Sequence, residues 1–199
     1  ISPSRSRRRA QRIPPRPPAD QRIHVTEHAL EHIRGCGFLP EPERTLPETA
    51  PSEAPPVEKN RSKTVLIHPG AGSPRKRWPL SGFRDVAVQL EALRLSPEFV
   101  IGQAEPDLLP TLARRETTVH RPVGSLDLLA RLRSAAAYIG NDSGVSHLAA
   151  WAGLPSVVIF GPTDPMRWRP RGGSVEIVQP PLDCRPCFET AAENCATAD

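Results

Sequence analysis

The chain has 199 residues and a formal net charge of +4, with 26 Lys and Arg against 22 Asp and Glu. No apolar run approaches the ~18 residues that a membrane-spanning helix requires, and the start of the sequence contains no apolar segment of the secretory-signal kind. These features predict that this sequence contains no membrane-spanning helix. Together with only four cysteines they predict a cytoplasmic protein.

Residues 1–62 differ in composition from the rest. Residues 1–56 contain 11 of the 25 prolines. We expect an irregular lead-in and interdomain linker over residues 1–62, with one short helix at residues 25–33 that Thr26 caps, and a folded domain over residues 63–199. A solvated basic end is the simpler interpretation of the arginine cluster, and contact with nucleic acid or anionic lipid is the alternative. The clustered arginines are Arg5, Arg7, Arg8, Arg9, Arg12 and Arg16.

The folded domain opens with a predicted strand at Thr64–His68, followed by a glycine-containing loop and three cations at residues 75–77. This arrangement is typical of an anion site, although its spacing fits neither the P-loop nor the dinucleotide fingerprint. Lys76 would place a point charge on a diphosphate, and a solvated loop lysine is the alternative. A helix with Ser81 as its cap should follow. Its predicted apolar face is Phe83, Val86, Ala87, Leu90 and Leu93.

Two further strand–helix units and a last strand come next. Residues 98–101 predict a strand, and Glu105 in its exit loop would hold ribose hydroxyls or simply favour the start of a helix. Residues 117–120 predict another strand, followed by a helix with Ser125 as its cap. A final strand is predicted at Val175–Val178.

The most informative stretch covers residues 136–165. Residues 136–139 and 156–160 predict two strands, and the helix between them should end at Gly153. At the front of that helix, Asp142 would accept hydrogen bonds from sugar hydroxyls or would merely cap the helix. The first main-chain amides of a helix suit a phosphate, and Gly144 lets a ligand approach them. These amides belong to Ser143, Gly144 and Val145.

Alternation of strands and helices predicts an α/β fold, a Rossmann-like parallel sheet with helices on both faces. Ligands of such sheets bind beyond the carboxyl ends of the strands. The loops after His68, Ile101 and Ile139 all fall at such ends. A phosphate-bearing ligand is therefore expected.

Several motifs together resemble the C-terminal half of glycosyltransferase family 9, the heptosyltransferases of lipopolysaccharide core assembly. They are HPGAGSPRKRWP at residues 68–79, the strand-exit Glu105, GSLDLLA at residues 124–130, and YIGNDSGVSHLAAWAGLPSVVIFGPTDPMRW at residues 138–168. The resemblance covers roughly residues 63–190. It implies the C-terminal domain of a GT-B architecture, in which two Rossmann-like domains enclose the active site.

The resemblance also implies a function. The chain would supply the donor-binding half of an enzyme that transfers a sugar, usually from ADP-heptose, to a lipopolysaccharide core or related lipid-linked glycan by metal-independent inverting transfer, with no cofactor. The catalytic base would lie in an N-terminal acceptor domain that is expected to be separate from this chain. Contact with the inner face of the membrane is a further expectation. A non-catalytic nucleotide-sugar-binding module is the alternative. A sugar-nucleotide epimerase fits the GPTDP block less well.

Site roles follow from the matching positions. Lys76 would contact the phosphates and offset leaving-group charge as the catalytic group, while Asp142 would help hold the sugar-diphosphate. Ser73 would add a phosphate contact, Glu105 would bind ribose, and Leu126 would line the adenine pocket. The other expected donor contacts are Ser143, Gly144, Val145 and His147, with Thr163 and Asp164 shaping a nearby loop.

Four cysteines remain at Cys36, Cys184, Cys187 and Cys195. The Cys-x-x-Cys pair at residues 184–187 would suit half of a zinc site or a redox pair. The family often carries such a tail. We therefore interpret it as a structural feature and expect no metal.

Overall fold

The computed structural model describes residues 21–35, 62–103, 105–112 and 117–180. The chain divides into two compact units, Ile1–Thr45 and Leu46–Asp199. The predicted division between residues 62 and 63 stays a prediction. None of the helices in the described ranges is long and apolar enough to cross a membrane.

In the first unit, helix α1 spans Val25–Gly35. The predicted cap Thr26 is wrong, because Thr26 is the second residue of the helix. Its main-chain N–H donates to Nδ1 of His24 at 3.2 Å. An imidazole nitrogen therefore satisfies an N–H of the first turn, a role that more often falls to Ser, Thr, Asp or Asn.

The described residues of the second unit form one sheet of six parallel strands in the order β3-β2-β1-β4-β5-β6. The strands are β1 Thr64–His68, β2 Ser96–Val100, β3 Val119–His120, β4 Ala137–Asn141, β5 Ser156–Ile159 and β6 Val175–Val178. The helices are α2 Leu80–Ala92, α3 Leu109–Leu112, α4 Ser125–Ser134, α5 Gly144–Trp151 and α6 Pro165–Trp168. The predicted bounds of β1 and β6 are confirmed.

Helices cover both faces of this sheet, as predicted. Leu66 of β1 packs in one core cluster with Leu132 of α4 and Ala149 of α5. The next residue, Ile67, packs in a second cluster with Phe83 of α2 and Leu112 of α3. Since successive side chains of a strand point to opposite faces, the central strands are apolar on both sides.

The sheet order places a reversal of direction between β1 and β4. The chain winds outward from β1 through β2 to β3, and it then returns to the other side of β1 and continues through β5 to β6. The loops after β1 and β4 therefore leave the sheet side by side and diverge. This is the point at which open parallel sheets form a ligand crevice.

Two predicted helix caps are wrong by one or two positions. Helix α2 begins at Leu80, directly after Pro79, so Ser81 lies inside the helix. Leu80 packs against the core, which favours a helix start one residue before Ser81. Helix α4 begins at Ser125 itself, with Gly124 as its N-cap.

Other details of the helices also differ. Leu93 is the C-cap of α2 and is 71% exposed, so it does not belong to the apolar face of that helix as predicted. Leu126, near the start of α4, is 81% exposed. Gly153 ends α5 as predicted, with φ of 79°, a left-handed conformation that costs a glycine little.

Gly140 lies in the middle of β4, where a side chain has no space. A Cβ built there would clash with the hydroxyl of Tyr138 and lie 2.7 Å from its Cζ and 3.0 Å from the main-chain oxygen of His68. We expect Gly140→Ala to lower the free energy of unfolding by about 1–3 kcal/mol, the cost of overpacking a core, in urea denaturation. Gly173→Ala is the matched control, because a Cβ there meets nothing within 4 Å. Equal stability of the two variants would contradict the packing described.

His68 ends β1 and is buried, with Nδ1–H donating to the main-chain oxygen of Val100 at 2.9 Å. Burial lowers the pKa of His68 below its usual 6.5, and the nearby charge of Arg77 lowers it slightly further. The hydrogen bond to Val100 and the charge of Glu105 raise this pKa, but they do not offset the effect of burial. The unfolded chain therefore binds a proton that the folded chain resists. Stability should be lost as pH falls below about 6.5. In urea denaturation series at several pH values, His68→Asn should show a shallower loss over that window than the parent chain, and an unchanged slope would contradict the assignment.

Candidate functional site

The loops after β1, β4 and β5 converge at the carboxyl edge of the sheet, where β1 and β4 diverge. The first loop contains a 3-10 turn at Pro74–Lys76, and its last residue reaches across to the loop after β4. Nζ of Lys76 lies 2.7 Å from Oδ2 of Asp142. The side chains are 16% and 4% exposed, respectively, so this ion pair is largely shielded from water.

Asp142 also receives a second hydrogen bond, from the loop after β5. The hydroxyl of Thr163 donates to the same oxygen, Oδ2, at 2.8 Å. Thr163 is itself only 2% exposed. Thr163, predicted to shape a loop near the site, thus contacts the site carboxylate directly.

The ammonium of Lys76 also lies near an aromatic ring. Its Nζ is 5.8 Å from the centroid of Trp168, the last residue of α6. A ring face at this distance attracts a cation through its quadrupole. Lys76 is therefore not a solvated loop lysine, and that alternative is wrong.

The alternative role of Asp142 as a helix cap is also wrong. The N-cap of α5 is Ser143, whose Oγ accepts from the main-chain N–H of Ser146 at 3.4 Å. The carboxylate of Asp142 instead points to Lys76 and Thr163.

The front of α5 is open next to this carboxylate. A Cβ built on Gly144, the first residue of α5, would meet nothing within 4 Å. The first N–H groups of a helix have no partner within the helix and carry partial positive charge. An anion at this helix start would therefore meet main-chain donors and the ammonium of Lys76 together.

A buried hydrogen-bond network supports the helix start from below. The Oγ of Ser146 donates to the main-chain oxygen of Asn141 at 2.5 Å, and the hydroxyl of Tyr138 lies 3.0 Å from the same Oγ. Burial raises the pKa of Tyr138 well above its usual value of about 10. The phenol therefore stays protonated and serves as a fixed structural group.

Asn141 is a site residue that sequence analysis missed. Its side chain is fully buried, and Nδ2 donates to the main-chain oxygens of Pro69 at 2.9 Å and Gly70 at 3.4 Å. Its Oδ1 accepts from the main-chain N–H of Trp78 at 3.0 Å. A polar residue at the end of a buried strand was the signal in the sequence.

Glu105 lies beside the first loop and is 6% exposed. Its Oε2 accepts from the main-chain N–H of Gly102 at 2.8 Å. A Cβ on Gly70 would lie 2.6 Å from Cδ of Glu105, so only glycine allows this carboxylate to pack against the loop. An exposed ion pair at 2.6 Å, Arg77 with Asp107, joins the same two loops. The predicted ribose contact stays a prediction.

The remaining predicted residues occupy different surroundings. Ser73 precedes the 3-10 turn, and its main-chain oxygen accepts from the main-chain N–H of Lys76 at 3.1 Å. Val145 packs against the core, which leaves its main chain for a ligand, and His147 is half-buried on α5. Leu126 presents an exposed apolar side chain at the start of α4. Their assigned contacts with a donor stay predictions.

Among the described residues, no group of three or more His, Cys, Asp and Glu could hold a metal ion. The four cysteines lie outside the described ranges. The expectation about the Cys-x-x-Cys pair therefore stays a prediction.

Known proteins are similar to this chain in sequence and in fold. The chain is 28% identical over 153 residues to lipooligosaccharide heptosyltransferase 2 of two Campylobacter jejuni strains, of serotypes O:2 and O:6, and each match covers 72% of this chain and 48% of the relative. The chain thus spans about half the length of the curated relatives it matches.

Solved structures agree at the level of the fold. A glycosyltransferase of family 9 from Veillonella parvula aligns with a TM-score of 0.61 at 20% identity, covering 80% of this chain and 50% of that one. The E. coli heptosyltransferase WaaC solved with ADP aligns with a TM-score of 0.60 at 18% identity, covering 80% and 51%. A sequence model of glycosyltransferase family 9 (heptosyltransferase) matches residues 6–196. This match confirms the predicted resemblance: the chain belongs to glycosyltransferase family 9.

Proposed function

We propose that the described α/β domain is the donor-binding half of a glycosyltransferase that moves a sugar from a nucleotide-sugar, ADP-heptose in the first instance, to a lipopolysaccharide core or related lipid-linked glycan. The observation that carries the proposal is the pair of Lys76 and Asp142, buried where β1 and β4 diverge and adjacent to the open start of α5. An anion site at the crevice of a parallel sheet fits a sugar-diphosphate.

In this proposal the diphosphate lies at the start of α5 and contacts the ammonium of Lys76. An ammonium has three N–H donors. Lys76 can therefore keep its bond to Oδ2 of Asp142 and still donate to a phosphate oxygen. The other oxygen of Asp142, Oδ1, is assigned to a sugar hydroxyl. Support for an adenine nucleotide comes from the relative solved with ADP and from the exposed Leu126 at the start of α4.

During transfer an acceptor hydroxyl forms a bond to the anomeric carbon as the bond to the diphosphate breaks. Negative charge then grows on the leaving diphosphate. A cation and main-chain N–H groups already in place stabilise that charge without reorganisation. The proton of the acceptor hydroxyl goes to an acidic residue, which the family resemblance places in the acceptor-binding domain.

A non-catalytic module that only binds the nucleotide-sugar is the alternative. It uses the same site and differs only in the absence of transfer. Supplying a separate acceptor domain in trans distinguishes the two, because a donor-binding half gains transfer activity and a module does not. Contact with the inner face of the membrane is expected only of the glycosyltransferase, since its acceptor is lipid-linked.

Isothermal titration with ADP, UDP and ADP-heptose tests the donor site. We expect micromolar binding of ADP and ADP-heptose, and we expect Lys76→Ala to weaken ADP binding by about 1.5–3 kcal/mol, the range for a hydrogen bond to a charged group. Arg133→Ala is the control, because it removes one positive charge from the exposed end of α4 that lies at the opposite edge of the sheet.

Equal weakening by the two substitutions would indicate a general charge effect and contradict a specific phosphate contact. Absence of binding to all three ligands would contradict the donor-site proposal itself.

Lys76 and the start of α5 would do the work that a divalent cation does in other nucleotide-sugar enzymes. ADP affinity should therefore be the same in excess EDTA and in excess Mg²⁺, apart from the cation's own binding to ADP in solution. Titration with ADP in both buffers, corrected for that equilibrium, measures this. A corrected affinity that rises tenfold or more with Mg²⁺ would contradict metal-independent binding.

A further inference from the structure

One buried carboxamide joins both ends of the loop that carries Lys76. Asn141 is the last residue of β4 and directly precedes Asp142. Its Nδ2 donates to Pro69 and Gly70, where the loop leaves β1, and its Oδ1 accepts from Trp78, where the loop approaches α2. The loop is thus closed on the strand that positions the site carboxylate.

We infer that Asn141 is a positioning residue for the donor site, which holds the loop of residues 69–78 so that the ammonium of Lys76 lies against Asp142. The effect of Asn141 on donor binding rests on the function proposed above, in which Lys76 contacts the diphosphate. The consequence for the position of Lys76 does not depend on that function.

The need for such a device follows from the lysine side chain. Lysine has a flexible stem with about 2 kcal/mol of rotamer entropy, so its own bond to a carboxylate fixes its position poorly. The main-chain bonds within the loop are local, from Lys76 to Ser73 at 3.1 Å and from Arg77 to Pro74 at 3.0 Å. These bonds shape the turn, but they do not fix it relative to β4. The three bonds of Asn141 do so.

The chemistry also selects the residue type. The site requires N–H donors facing two carbonyl oxygens and an oxygen acceptor facing a main-chain N–H, and a primary amide supplies both from one planar group. Aspartate has the acceptor but lacks the donors, and its carboxylate would face two carbonyl oxygens. Alanine supplies neither, so buried polar groups of the loop would lose their partners and the loop would shift to recover them.

Amine labelling tests the position of Lys76 without any ligand. Under limiting acetic anhydride, mass spectrometry gives the acetylation rate of Lys76 relative to Lys63, which is exposed and precedes β1. In the parent chain the shielded, ion-paired Lys76 should react slowly. Asn141→Ala should raise the ratio on the order of tenfold, the factor that corresponds to losing one hydrogen bond to a charged group.

Ser156→Ala is the matched control. Ser156 is also buried and its Oγ donates to a main-chain oxygen, that of Leu154 at 2.6 Å, but it begins β5 at the opposite edge of the sheet. It should lower the free energy of unfolding without changing the labelling ratio. If Asn141→Ala gives no cooperative unfolding transition, Asn141→Leu replaces it, since leucine keeps the branched shape of the side chain and removes its hydrogen bonds without adding a charge.

A binding cycle then tests the route of the effect. Asn141→Ala should weaken ADP binding about tenfold in the parent chain and hardly at all in a Lys76→Ala background, because the lost contact is the same one. A merely structural role of Asn141 would leave the two effects on ADP affinity additive.

Each result has a distinct meaning. Equal labelling ratios for the Asn141 variant and Ser156→Ala would overturn the positioning role, and so would additive effects on ADP affinity. If the parent chain binds neither ADP nor ADP-heptose, the proposed function fails. The labelling ratio then still decides whether Asn141 positions Lys76.

Discussion

The carboxylate of Asp142 is almost completely buried, and a buried charge is costly unless it is paired and hydrogen-bonded. Its partners come from other strands of the sheet, with Lys76 reaching from the loop after β1 and Thr163 from the loop after β5. Each of those loops must therefore be held in register with β4. Asn141 performs this for the first loop. Gln179, directly after β6, ties the second loop to the end of that strand by donating to the main-chain oxygens of Gly161 and Thr163 at 3.2 and 3.3 Å.

The polar site residues and the apolar core occupy different parts of the domain. Central strands present apolar side chains to both faces, where Leu66 and Ile67 pack into different clusters, and the ion pair of the site lies where the strands end. The two apolar clusters therefore supply the hydrophobic burial, while the ion pair of the site is confined to the carboxyl edge. Gly140 shows how little space the packed core leaves, since the ring of Tyr138 occupies the position of its absent side chain.

The fold was accessible from sequence because it depends on local patterns: β-branched runs, helical spacing and a glycine at the end of α5. Helix starts were less accessible, because Ser81 and Ser125 carry the side chains of caps while packing of Leu80 and the extended Gly124 decide where the helices begin. The role of Asp142 remained open, since its choice between capping and pairing depends on residues 66 and 21 positions away along the chain. Only the folded topology brings these together.

Pairing Lys76 with Asp142 in the absence of a ligand has opposite effects on the proposed site. The pair nearly cancels its own charge, which reduces the attraction for a diphosphate at a distance. With the loop held by Asn141, the pair also keeps the ammonium in place before the ligand arrives, so less side-chain entropy is lost on binding. Because developing negative charge on a leaving diphosphate is felt at contact distance, an ammonium already in position serves the transition state more than the approach of the donor. A site built in this way favours the transfer step over tight holding of the nucleotide.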